Sequence, residues 1–167
     1  MPIYRIYNGP APTTAAQLAV TTGTSIKTML QVKRIAALKL KVHAWGVSMD
    51  GAAAAAGIQW ELVETGTVFA TVTASVAGDV TCITDANGAT STTYLSVGTT
   101  ATGYTSSAEG TITVTRMFDS QFVQPTGQYI WEWSLGTEPE VLAVSALRIR
   151  CKAAAAVNAV CWIDLLV

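Results

Sequence analysis

A chain of 167 residues, 50% hydrophobic and only 13% charged, is one domain's worth of sequence, long enough to bury a core without disulfide or metal staples. A net charge of −1 and a pI near 5.7 give no global field to attract nucleic acid or anionic lipid, and a single histidine excludes a multi-histidine metal centre. With charge at about half the usual share and a mean hydropathy of +0.39, the chain must either hide apolar surface in an assembly or cover it with uncharged Thr, Ser and Asn.

Residues 1–25 carry Pro2, Pro10 and Pro12, and only the short "IYRIY" at Ile3 to Tyr7 alternates. This reads as an extended N-terminal arm with a short strand at its head, ahead of a single β domain over residues 26–167. The opening has one Arg and no apolar run ahead of a small-residue cleavage site, so no secretory leader is expected. No stretch predicts a spanning helix. The best candidate, the alanine-rich run before Trp162, is too short and is closed by Asp164.

From Ile26 onward strand signals accumulate. The segment from Ser25 to Val42 contains good helix formers, but its apolar positions do not hold a 3.6-residue period and slide into alternation. Leu38, Leu40, Val42 and Ala44 are then predicted on one face, and Lys39, Lys41, His43 and Trp45 on the other. Ile58, Trp60 and Leu62 oppose Gln59, Glu61 and Val63. Thr67 to Val76 is largely β-branched, and Gly110 to Phe118 stacks Ile112 and Val114 against three threonines. Gln128 to Gly136 puts Tyr129, Trp131 and Trp133 on one face, and Val141 to Lys152 and Val157 to Leu166 finish the chain. Turn signals punctuate these runs at residues 50–57, 85–93, 124–128 and 135–140. Eight or more short strands separated in this way predict an all-β antiparallel sandwich or jelly roll.

Chemistry-bearing patterns are few. There is no lysine-bearing phosphate loop, no GxGxxG before a helix and no GxSxG elbow. No cofactor, no metal and no catalytic site is therefore assigned. His43 beside Lys39 and Lys41 reads as a surface histidine. Asp79 and Asp85 flank a loop, but without the spacing of a calcium loop. Glu61 and Glu132 lie mid-strand and supply the carboxylate pair for a glycan-cleaving rival reading. Cys82, Cys151 and Cys161 are an odd count without CxxC spacing, which points to a reducing compartment. Cys151 and Cys161 face each other if the last two strands form a hairpin, and buried free thiols are the plainer reading.

The C-terminal stretch sets a physical question. Leu147, Ile149 and Cys151 alternate with Arg148, Arg150 and Lys152, as on a half-wet strand. After four alanines, Val157, Ala159, Cys161 and Ile163 fall on one face while Val160, Trp162 and Leu166 fall on the other. A strand apolar on both faces in a charge-poor chain is expected to have its second face covered by a companion. The candidate interface residues are Tyr4, Ile6 and Tyr7 of the arm, the stripe Tyr129, Trp131 and Trp133, the row Arg148 and Arg150, and Trp162. The arm is expected to meet a shell, the stripe and Trp162 to mediate self-association, and the arginine row to form a charged rim.

The phrases "WELVETGTVFATVTA", "GTTATGYTSSAEGTITVTR" and "LRIRCKAAAAVNAVCWIDL" resemble small Ala/Thr-rich β proteins of the virions of tailed bacteriophages, mostly actinobacterial, of the capsid decoration (cement) type. The resemblance runs from Tyr4 onward and carries no catalytic residues. It implies a structural protein on the outer surface of a phage head, made in the host bacterial cytoplasm, partnered by itself as a homotrimer and by the major capsid protein. It implies neither nucleic acid nor membrane as a partner. The rival from another class is a carbohydrate-binding sandwich on a phage surface or tail, with exposed tryptophans stacking on sugars.

Overall fold

The computed structural model describes residues 1–52, 55–86 and 93–167. Among them run twelve strands: β1 (Ile3–Tyr7), β2 (Val20–Thr21), β3 (Lys27–Val32), β4 (Lys41–Asp50), β5 (Ile58–Glu64), β6 (Thr71–Ala74), β7 (Val80–Cys82), β8 (Gly103–Ala108), β9 (Arg116–Val123), β10 (Gln128–Glu132), β11 (Leu147–Lys152) and β12 (Asn158–Leu166). They form two antiparallel sheets packed face to face, the expected β-sandwich. One sheet has the order β10-β4-β12-β1-β7, with β2 added on β12; the other has the order β6-β8-β3-β11-β5-β9.

Alternation explains the core. Ile58, Trp60 and Leu62 of β5, Leu147, Ile149 and Cys151 of β11, and Ala159, Cys161, Ile163 and Leu165 of β12 all point between the sheets and are buried. Each aliphatic side chain removed from water in this way stabilises the fold by about 1.5–3 kcal/mol before entropy is counted.

Three local expectations change. First, the strand expected from Leu38 starts at Lys41 and contains a bulge. Asp164 pairs with Ala44 and Leu165 with Val42, which leaves His43 as the extra residue. The bulge shifts the phase, so Val42 and Trp45 both face the core, whereas Trp45 was expected beside the lysines. Second, residues 110–115 are not a strand. Gly110, at φ +72°, turns the chain after β8, and pairing resumes only at Arg116. Third, residues 1–25 do not stand apart as an arm. The strand read at Ile3 to Tyr7 exists, but it lies between β12 and β7 in full register. Asn8 is buried and bonded to the backbone of Ala159 and Cys161, and Thr22 exchanges hydrogen bonds with Val157. The turn at 124–127 forms as expected, Gly127 N–H donating to the Gln124 carbonyl at 2.8 Å. The expected turns at 50–57 and 85–93 fall partly outside the described residues, at 53–54 and 87–92.

Candidate functional site

The two sheets end together on one flank. Among the described residues, β9 is outermost in its sheet and pairs only with β5, and β10 is outermost in the other and pairs only with β4. The short turn at 124–127 joins them. Asp119 of β9 closes the seam between the sheets: its Oδ2 accepts from the Tyr129 hydroxyl at 2.7 Å and from Trp45 Nε1 at 3.1 Å. Tyr129 meets Trp45 edge-on at 5.4 Å. Burial, and then the hydrogen bond to Asp119, push the Tyr129 hydroxyl far above its ordinary pKa. It therefore stays a neutral donor.

At this flank four apolar side chains are open: Phe122 is 76% exposed, Ile130 57%, Met117 48% and Trp131 47%. By alternation from Asp119 and Tyr129, Phe122 and Ile130 point to the outer faces of their own sheets, while Trp131 lies on the seam side of β10. The backbone is open as well. Gly127 accepts from Met49 N–H and Trp133 N–H donates to the His43 carbonyl, so by alternation Gln128, Ile130 and Glu132 direct their amides and carbonyls away from β4. Neither β9 nor β10 contains Lys or Pro, the residues that usually blunt a sheet edge.

The candidate interface residues separate into four groups. Of the aromatic stripe, Tyr129 belongs to the seam, Trp133 is half-buried against the core and Trp131 is open, with its ring perpendicular to that of Trp133 at 6.4 Å. Tyr4 and Ile6, expected to meet a shell, are core residues at 2% and 0% exposure, because they are the inward positions of a central strand. Tyr7 lies outward beside Trp162. The arginine row is no rim. Arg148 is completely buried, giving hydrogen bonds to the Glu109 carboxylate and carbonyl and to the Val68 carbonyl. Arg150 pairs with Glu61 at 2.6 Å. The connections that carry Val68 and Glu109 bring these acceptors over Arg148, which strand periodicity cannot reveal.

The second face of β12 is covered largely by the chain itself, which corrects the expectation of a companion there. Arg5 of β1 binds the Asp164 carboxylate through both Nε and an NH2 group at 2.7 Å. Its guanidinium stands 4.1 Å from the Trp162 ring centroid. Beneath that indole lies Gly46 of β4, where a Cβ would fall 2.7–2.9 Å from three ring atoms. Trp162 is thus held between a cation and bare backbone, and Asp164 and Leu166 are buried. The signal was present in the sequence: one cation within "IYRIY" and one anion within the last apolar strand read as a cross-strand pair.

The rival chemistries find little support. Glu61 and Glu132 lie in different sheets, each beside its own basic group, Arg150 and His43. Asp79 uses both oxygens on backbone N–H groups, those of Ala11 and Val76. Among the described residues no three His, Cys, Asp or Glu side chains converge as a metal site. Cys151 and Cys161 are buried as free thiols, and burial pushes Cys151 up to about 12 and Cys161 well above its ordinary value. Asp119, Glu109, Phe122 and Ile130 were not singled out from sequence, since their importance depends on which strands end up at an edge.

No family model, no curated protein and no solved structure matches the chain.

Proposed function

We propose that this protein is a non-enzymatic structural component of a phage virion, a capsid decoration protein that self-associates as a homotrimer and binds the major capsid protein on the outer surface of the head. The observation that carries the reading is the β9–β10 flank, where four exposed apolar side chains lie on two strands whose outer edges are unpaired among the described residues. A flank of this kind is an association surface or an aggregation liability. The low charge of the chain and the phrases it shares in style with decoration proteins favour association. The mechanism is burial of apolar area and strand-edge hydrogen bonding, with contacts multiplied over the lattice by effective concentration. Such a layer holds the shell against internal pressure without chemistry.

The test combines mass measurement in solution with sedimentation on emptied phage shells. The native chain is expected as a trimer that pellets with shells, and Phe122→Ser with Trp131→Ser is expected to return it to a monomer without loss of fold. A native monomer with no affinity for shells refutes the proposal. One observation favours a second reading, a carbohydrate-binding module: Trp131 presents an open ring next to Trp133. Quenching of its fluorescence by host cell-wall sugars, unchanged on oligomerisation, is the outcome that selects that reading.

A further inference from the structure

We propose that a groove at one end of the sandwich is a docking site for an acidic, apolar segment of a partner protein. The groove encloses about 380 Å³ and is lined by Lys33, Arg34, Ile35, Phe69, Ser96 and Val144, among others. That volume lies at the low end of the ~300–1,000 Å³ typical of ligand sites, enough for a few side chains.

Its walls are preformed. Ile35 N–H donates to the Tyr94 carbonyl and Ser96 N–H to the Lys33 carbonyl, both at 2.9 Å. On the opposite side, Leu142 N–H donates to Glu64 Oε1 and Ala146 N–H to the Gly66 carbonyl. Val144 nevertheless leaves its side chain exposed at the rim.

The charges around the groove are unbalanced in one direction. Glu64, Glu138 and Glu140 are matched by Arg116, Lys41 and Arg34 respectively. Lys33 has only an aromatic partner, its Nζ lying 4.7 Å from the Phe69 ring centroid, and among the described residues it forms no ion pair. The Arg34 side chain is nine-tenths buried, and its Nε–H meets no acceptor among the described residues. A cation without a carboxylate, above an aromatic floor and next to an aliphatic rim, complements a carboxylate carried next to an aliphatic side chain. The assignment is independent of the head-decoration reading and fails separately from it.

The test is an amide NMR titration of the whole chain with acetyl-Leu-Glu-amide, with acetyl-Leu-Gln-amide as the neutral control and N-acetylleucinate as a free terminal carboxylate. The expected result is saturable shifts at Lys33, Phe69, Ser96 and Val144. Binding is expected to weaken about fivefold for the Gln peptide and to be lost in Lys33→Glu, whose remaining spectrum matches the parent. Tighter binding of N-acetylleucinate than of the Glu peptide assigns the groove to a chain terminus, and the reverse assigns it to an internal acidic residue. Absence of saturable shifts, equal response to the Gln peptide, or full response in Lys33→Glu overturns the proposal.

Discussion

Replacing Arg148 with Met keeps most of the side-chain volume and removes a charge that is 0% exposed. The Glu109 carboxylate keeps three donors, the Thr28 amide and hydroxyl at 2.6 Å and the Ser106 hydroxyl. The Val68 carbonyl keeps the Thr65 hydroxyl at 3.0 Å. The Glu109 carbonyl loses the Arg148 donor that bound it at 3.1 Å in a part-buried setting, at a cost of about 0.5–1.5 kcal/mol. Breaking a fully buried ion pair typically costs about 3–5 kcal/mol; the Glu109 side chain is 23% exposed and keeps three donors, which brings Arg148→Met below that range, to about 2 kcal/mol. For a chain of this length, total stability is on the order of 8–25 kcal/mol, so the loss is readily measured. Urea unfolding followed by tryptophan fluorescence gives it from the midpoint, at unchanged slope. Arg148→Met combined with Glu109→Leu is expected to lose less than the sum of the two single changes, because neither variant partner is left as an unmatched charge. A loss below about 1 kcal/mol for Arg148→Met, the cost expected of an exposed rim cation, refutes the buried-clamp reasoning.

Gly46→Ala is expected to cost about 1–3 kcal/mol and to shift Trp162 emission to the red, since the new methyl displaces the indole. Arg5→Ala strips the buried Asp164 carboxylate of its bidentate partner, and a loss of about 2–4 kcal/mol is expected from urea midpoints. The thiols give a pH dependence. In the native state burial makes Cys151 hold its proton up to about 12 and Cys161 well above the ordinary thiol range, whereas unfolded thiols ionise near 9. Their contribution is complete below that pH and is lost as pH rises, by ~1.4 kcal/mol per pH unit per thiol. Urea midpoints from about pH 8 to pH 10.5 are expected to fall less steeply in Cys161→Ala than in the parent. Labelling with iodoacetamide at neutral pH, read by mass, is expected to modify the partly buried Cys82 first, and Cys151 and Cys161 only on unfolding.

The period-two pattern alone identified an all-β sandwich and most of its core. At Trp60 and Leu62, Leu147 and Ile149, and Cys161 and Ile163, each side chain's direction follows from its own strand. The pattern could not show that the first strand lies beside the last, which turns Tyr4 and Ile6 from an arm into core and places Arg5 over Trp162. Nor could it show the bulge at His43 that draws Trp45 inward, or the connections that bring Val68 and Glu109 over Arg148. Alternation specifies the two sides of a strand relative to each other. Which side meets the opposite sheet, which meets water and which lies under a passing loop depends on long-range pairing between residues up to the full chain length apart. That pairing alone leaves β9 and β10 as open edges with Phe122, Ile130 and Trp131 exposed on one flank.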